Sequence, residues 1–209
     1  MPEFIHYTLI LSLGYLLGSF PTAYLLVRWT ARLDIRESGS GNVGAMNTFD
    51  VTSSKLLGLF VMVIDIVKGI VAVETASLLF DGGFWMMGVA GIGAILGHNY
   101  SPWIRLKGGR GLATGAGVML VLAWIVVVIW CAAWGINYSY SRNVHISNVV
   151  ASVATPFIVW LTPEKVLHLV LRPSMSSMNL VFLASIVFSL ILIRHARSIA
   201  EFWKPSHKA

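Results

Sequence analysis

The sequence predicts an all-α protein, a polytopic membrane helix bundle, and three observations predict it. Of the 209 residues, 56% are hydrophobic and only 11% charged, whereas soluble domains carry roughly 25% charged residues. At least six apolar runs approach or exceed the roughly 20 residues that a spanning helix needs. No repeat, low-complexity tract or composition shift divides the chain, so one integral-membrane domain over residues 1–209 is expected.

The first run, Phe4 to Trp29, has no basic flank before it and no small-residue cleavage site after it, so it reads as a retained helix, not a signal peptide. The second, Leu56 to Phe80, contains Asp65 and Lys68, which at i and i+3 share a helix face. Counted from Lys55, Lys68 lies roughly 20 Å along the helix, where an unpaired charge is expensive. The two residues read either as an ion pair bracing helices or as part of a polar pocket. The third run, Phe84 to Ile104, carries Gly88, Gly91, Gly93 and Gly97, residues that let helix backbones approach closely in lipid. His98 and Asn99 lie toward its end. Ile146 to Leu161 and Met178 to Ile193 are the last two runs.

The run between them, Leu112 to Tyr138, admits two readings. As one long helix it gives six spans. As a half-helix to about Leu122 that turns back near Ala123 and Trp124 it gives seven. Basic residues collect in cytoplasmic loops, and the seven-span arrangement satisfies this with the N-terminus outside and the C-terminus in the cytoplasm. It places Arg28, Arg32, Arg36, Lys55, Arg105, Lys107, Arg110, Arg142, Arg194, Arg197, Lys204 and Lys208 inside, leaving Lys165 and Arg172 outside. The six-span alternative moves Arg142 and the C-terminal charges out. Seven is therefore expected, and the net charge of +6 is mostly topological, not a nucleic-acid signature.

Four polar clusters then share the cytoplasmic face: the loop Trp29 to Ser54, "RLKGGRG" at Arg105–Gly111, "YSRNVHIS" at Tyr140–Ser147, and "RHARSIAEF" at Arg194–Phe202. Glycine-rich loops that lead into helices aim backbone amides at an anion, and the helix N-terminus adds positive potential. "SGSGN" at 38–42 has that chemistry, and "KGGRG" sets Lys107 and Arg110 around Gly108 and Gly109. Neither has the spacing of a nucleotide P-loop. His98 and His195 are end-of-helix histidines that cap, supply a base or donate to phosphate. A lone Cys131 excludes an intrachain disulfide, and the absence of a carboxylate–cysteine cluster around the histidines argues against zinc.

"GSFPTAYLL", "DIRESGSGNVGAMN", "DIVKG", "GHNYSPWIRLKGGRGLATG" and "RHARSI" occur in this order. Over nearly the whole chain the sequence resembles the bacterial acyl-phosphate:glycerol-3-phosphate acyltransferases. The resemblance implies a seven-helix enzyme of the bacterial cell membrane. Such an enzyme moves an acyl chain from acyl phosphate to the 1-hydroxyl of glycerol 3-phosphate and yields lysophosphatidic acid for phospholipid synthesis. It implies no metal, nucleotide or acyl-CoA; the partners are the two phosphate substrates and membrane lipids. The family's first loop pattern falls on Arg36, Gly39, Ser40, Gly41 and Asn42, ending at Asn47. Its "GGKG" falls on Gly108, Gly109, Arg110 and Gly111, and its "RHxxN" on Arg194, His195 and Ser198. Lys68, His98, Lys107 and Arg142 complete the expected phosphate-binding set.

The chain departs from the family pattern at several places. Arg110 replaces lysine, Ser198 replaces asparagine, Asp50 stands where a basic residue is usual, and His145 stands where serine is usual. The expected chemistry is direct attack by the substrate hydroxyl on the mixed anhydride. Ser40, Asn42 and glycine amides would hold one phosphate and Arg36 and Arg110 neutralise the other, with His195 or the substrate's own phosphate as base. Two rivals stand beside it. An acyltransferase with another acceptor, or a weakened paralogue, is motivated by Asp50 and Ser198. An anion transporter would carry midplane helix breaks in paired repeats, which the sequence does not show.

Overall fold

The computed structural model describes residues 2–80, 83–168 and 176–202, with the side chains of 168 and 197–202 excluded. Every regular element among them is helical: α1 (Glu3–Gly18), α2 (Thr22–Thr30), α3 (Ala45–Thr52), α4 (Lys55–Leu79), α5 (Phe84–Asn99), α6 (Leu112–Ser141), α7 (Val144–Leu161), α8 (Glu164–His168) and α9 (Ser177–Phe202). Five stretches are long and apolar enough to cross a membrane: Glu3–Thr30, Lys55–Leu79, Leu112–Ser141, Val144–Leu161 and Ser177–Ala196. Leu56, Leu78, Phe157, Trp160 and Phe182 are exposed on their outer faces, as lipid-facing positions are.

The apolar run Phe4 to Trp29 is not one helix. It breaks between α1 and α2 at Ser19–Pro21, where Pro21 has no N–H to continue the ladder. The break leaves the Phe20 carbonyl free to accept from the Lys68 ammonium of α4 at 2.5 Å. The polar stretch between Trp29 and Ser54 also holds a helix, α3, which packs beside the start of α4.

The packing follows small residues, as the sequence suggests. Gly14 and Gly18 of α1 lie against the backbone at Ala90 and Ala94 of α5, while Gly93 and Gly97 lie against Leu11 and Tyr15. A Cβ at any of these four positions would overlap the facing main chain. Gly69 of α4 meets Thr114, and Gly117 of α6 meets Ile66, in the same manner. Larger side chains from α5, α6 and α9, among them Met87, Ile95, Val118, Leu122, Leu183 and Val187, form the main core.

α6 is formally 30 residues long, but Ala123 within it has φ −161° and ψ 82°, outside any helical region. A straight helix of that length would separate its ends by about 45 Å. Instead Arg110, just before α6, lies 3.1 Å from His145, just after it. The chain therefore reverses at Ala123. The half before the break packs on α4 and α5, and Trp130 and Trp134 in the half after it donate to Ser152 and Asn148 of α7. The reversal falls at the expected position without a glycine or proline to mark it.

Candidate active site

The glycine-rich loop is organised by one buried amide. Asn47, 1% exposed, accepts from the Ser40 N–H at 2.9 Å. Its Nδ2 points at the carbonyls of Ile35, Ser38 and Asn42 at 3.2, 3.0 and 2.9 Å. Gly39 and Gly41 have φ of +59° and +69°, the left-handed region that glycine enters without steric cost. A Cβ on Gly39 would also run into Asn47 Oδ1. The loop is thus wrapped tightly on Asn47 and turns the exposed Ser40 outward.

Arg36 has a different environment from the expected one. Its Nε donates to Asp34 Oδ1 at 2.9 Å, its Nη2 to Oδ2 at 2.5 Å, and its Nη1 to the Ile104 carbonyl at 3.4 Å. The guanidinium also lies 4.8 Å from the centre of the Tyr24 ring. These hydrogen bonds hold the Asp34 carboxyl at about 2, below its ordinary 3.8, and raise the Arg36 pKa in turn. Asp34 balances the Arg36 charge, so Arg36 braces the loop against the 101–105 segment instead of presenting an uncommitted cation.

The second glycine turn is threaded between α5 and α9. Gly109 N–H donates to the His98 carbonyl at 3.0 Å and Gly108 N–H to that of Asn99 at 3.2 Å. From the other side Arg194 Nε donates to the Gly109 carbonyl and Nη2 to that of Gly108, both at 3.0 Å. Its guanidinium sits 5.1 Å from the centre of the Tyr100 ring. Gly111 turns the chain into α6 with φ +80°. The two loops meet here: a Cβ on Gly109 would overlap His98 Nε2 and lie 2.7 Å from the Val43 carbonyl of the first loop. Sequence reasoning placed both loops on one face; the structure puts them in contact.

Behind the turn lies a buried charged group. Lys68 Nζ is 2.6 Å from Asp65 Oδ1, and His98 Nδ1 is 3.7 Å from the same oxygen. Asp65, Lys68 and His98 line a crevice with Thr22, Ser101 and Gly108. Among the described residues, the buried Thr22 Oγ1 finds no hydrogen-bond partner there, and neither does the Asn99 side chain beside Gly111. Thr22 and Asn99 lie within the stretches "GSFPTAYLL" and "GHNYSPWIRLKGGRGLATG", but that they are orphaned buried polar groups is visible only in three dimensions.

His195 is 2% exposed, and its Nδ1 lies 2.8 Å from the Ile191 carbonyl. A carbonyl only accepts, so Nδ1 carries the proton and neutral His195 keeps its lone pair on Nε2. Arg110, His145 and Arg194 share its electrostatic surroundings. Lys107 and Arg142 are exposed, and among the described residues no hydrogen bond or ion pair joins either side chain to the cluster. The Ser198 side chain lies outside the described residues. Asp50 is exposed on α3. His145, which the sequence marks only as a departure from pattern, contacts Arg110.

Fold and site together define a multi-span helical membrane protein with glycine, arginine and histidine groups suited to anions where α5 ends and α6 and α7 begin. The family of glycerol-3-phosphate acyltransferases matches residues 8–205. A glycerol-3-phosphate acyltransferase of Synechococcus sp. (strain JA-2-3B'a(2-13)) is 38% identical over 75% of this chain and 76% of its own. One from Prochlorococcus marinus (strain MIT 9301) is 33% identical over 94% and 93%. The crystal structure of PlsY, an integral membrane glycerol 3-phosphate acyltransferase, in its glycerol 3-phosphate form has a TM-score of 0.78 and 26% identity, covering 94% of this chain and 91% of that one. Its lysophosphatidic acid form gives 0.75 and 25% over the same shares. The chain belongs to the glycerol-3-phosphate acyltransferase family.

Proposed function

We propose that this membrane acyltransferase moves a fatty acyl group from acyl phosphate to the 1-hydroxyl of glycerol 3-phosphate in the site built by the two glycine loops. The product is lysophosphatidic acid. The contact between the loops at Val43, His98 and Gly109, with Arg110 and His195 beside it, is the observation that carries the reading. Two phosphate-bearing substrates need two adjoining anion-receptive segments, and this chain has them.

The Ser40 hydroxyl, the Asn42 side chain and backbone amides of the first loop would hold one phosphate. Arg110, whose fork offers several donors, would hold the other, with the α6 N-terminus adding positive potential. The acceptor hydroxyl attacks the acyl carbonyl carbon, the carbon–oxygen bond to phosphate breaks, and inorganic phosphate leaves with the bonding electrons. The proton of the attacking hydroxyl passes to Nε2 of His195 or to a phosphate oxygen. Positioning and leaving-group stabilisation supply the catalysis without a covalent acyl-enzyme. Asn47, Arg36 and Arg194 act by holding the loops.

The seven-span arrangement, N-terminus outside and C-terminus in the cytoplasm, is part of this reading. The reversal at Ala123 and the basic residues of loops 28–55 and 105–110 support it, and bacterial relatives fit a location in the cell membrane. The test is transfer to labelled glycerol 3-phosphate by purified protein in lipid, with acyl phosphate or acyl-CoA as donor. Product from acyl phosphate alone, reduced in both His195→Ala and Ser40→Ala, is expected. Full activity and substrate affinity in Ser40→Ala would remove the first loop from the phosphate site.

A further inference from the structure

α1 and α5 run side by side in the same direction, Gly14 against Ala90 and Gly18 against Ala94, and they end together. Just past both ends, Ser101 Oγ donates to the Ser19 carbonyl at 2.6 Å. The segment 102–107 therefore leaves the bundle where two packed helices stop and just before the span that begins at Leu112. A loop at that level stands at the boundary between acyl chains and headgroups, where tryptophan and basic residues collect.

The segment is built to hold its side chains outward. The Ser101 carbonyl accepts from the N–H groups of Ile104 and Leu106 at 3.3 and 2.9 Å, and buried Ile104 pegs the loop among Ala23, Val27, Ile35 and Val43. Arg105 and Leu106 have φ of +57° and +59°, a region costly to any residue with a Cβ. Such strain, held twice in succession, marks a loop shaped for use. Trp103, Arg105, Leu106 and Lys107 are all exposed. Trp103 is 66% exposed even though its Nε1 donates to Ser19 Oγ at 2.8 Å, so the indole is pinned by one edge while its ring projects.

Exposed apolar side chains are ordinary on helices in lipid; cations interleaved with them are not. Among the described residues, no hydrogen bond or ion pair engages the side chain of Arg105 or Lys107. The acids of the adjoining loop are Asp34, taken up by Arg36, and exposed Glu37. Two cations thus remain for a partner outside the chain.

We infer that 103–107 is an interfacial foot: Trp103 and Leu106 bed into the acyl boundary while Arg105 and Lys107 gather acidic phospholipid headgroups. The partner is the anionic bilayer surface around the protein, and the inference does not rest on the acyl-transfer reading. Lys107, which the resemblance implies as a phosphate ligand, is here a lipid contact. Because Gly108 and Gly109 follow directly, the foot sets the height of the second glycine turn against the lipid.

The test uses the full chain, without substrates, in vesicles of phosphatidylcholine and phosphatidylglycerol. Either the neutral or the anionic lipid is brominated, at equal brominated fraction. Bromine quenches indole fluorescence on contact, and subtracting Trp103→Phe from the parent isolates Trp103 among the eight tryptophans. Trp103 is expected to be quenched, about twofold or more strongly by the anionic than by the neutral brominated lipid. The preference is expected to vanish in Arg105→Gln/Lys107→Gln. Lys55→Gln with Lys165→Gln removes the same charge at exposed sites outside the segment and should keep it. No quenching of Trp103 by either lipid overturns the inference and turns this surface toward a soluble protein. Equal quenching by both lipids, or a preference that survives Arg105→Gln/Lys107→Gln or is lost equally in the control, overturns it too. A preference abolished by added glycerol 3-phosphate overturns it by returning the two cations to the substrate site. Native mass spectrometry of phosphatidylglycerol retained by the purified protein repeats the comparison without Trp103→Phe: the parent is expected to keep more than Arg105→Gln/Lys107→Gln, and equal retention counts against the foot. The substituted side chains are exposed, so the variants are expected to fold, and melting in detergent checks it.

Discussion

Arg194 Nε donates to the carbonyl of Gly109 at 3.0 Å across 85 residues of sequence, tying the last long helix to the turn that carries Arg110. A second bond, from Nη2 to the Gly108 carbonyl, makes the contact bidentate. Arg194 is thereby a clamp on the turn's backbone, and the stretch "RHAR" couples α9 to the site twice, through this clamp and through buried His195.

Arg194→Lys keeps the charge and forfeits one arm of the clamp. A hydrogen bond from a charged group contributes about 1.5–3 kcal/mol, so kcat/KM is expected to fall by roughly tenfold or more. Arg194→Gln should fall further. Steady-state kinetics on both, with melting in detergent, test this; parental activity in Arg194→Lys would show that charge alone matters at this position.

Gly109 has no room for a methyl group, because a Cβ would overlap His98 Nε2 and press on the Val43 carbonyl. Gly109→Ala is expected to abolish acyl transfer while the helical content, read by circular dichroism, stays. Gly135, with nothing within 4 Å of a Cβ, is the contrast. In a helix, alanine is favoured over glycine by about 0.5–1 kcal/mol, so Gly135→Ala should keep activity and melt slightly higher. An active Gly109→Ala enzyme would mean that the turn and the first loop need not touch.

Much of this was legible in the residues, and the reasons differ from case to case. Asp65 and Lys68 share a helix face by spacing alone, and the glycines of α5 announce close packing because lipid offers few other ways to hold helices together. The reversal at Ala123 was legible only through charge counting, since Ala and Trp carry no turn chemistry. Arg36 read as a phosphate ligand because sequence shows its charge but not the geometry with which Asp34, two residues earlier, takes up that charge. Asn47 read likewise as a ligand, while its amide is used in folding the loop. His145 reaches Arg110 only through the α6 reversal, a tertiary contact that no local spacing encodes.

The Asp34–Arg36 pair sets a pH window of its own. Hydrogen bonding from Arg36 lowers the Asp34 carboxyl to about 2 from 3.8. A carboxyl depressed in the folded state adds stability above its ordinary value and loses it as pH falls through the folded one. The brace is therefore complete above about pH 5 and fails only between about 4 and 2. Hydrogen exchange over residues 31–44 is expected to show protection that does not change between pH 5 and 8, beyond the intrinsic rate. Asp34→Asn should lose that protection at neutral pH. Loss of protection in the parent between pH 8 and 6 would overturn this window.

Asp65 and Lys68 can be separated into a structural and a chemical part. Their side chains are only 3% and 8% exposed, and removing one member of a buried pair costs about 3–5 kcal/mol, because the other charge is left without compensation. Lys68→Met alone is thus expected to lower melting sharply. Replacing both, Asp65→Leu with Lys68→Met, removes the stranded charge and should recover most of the stability. Activity is expected not to follow. Lys68 spends two of its three donors on Phe20 and Asp65, leaving one for the crevice, and His98 would lose the carboxylate that faces its Nδ1. A double variant that melts near the parent but transfers acyl groups at least about 100-fold more slowly would identify a buried cation used in the reaction; recovery of both would assign the pair to packing.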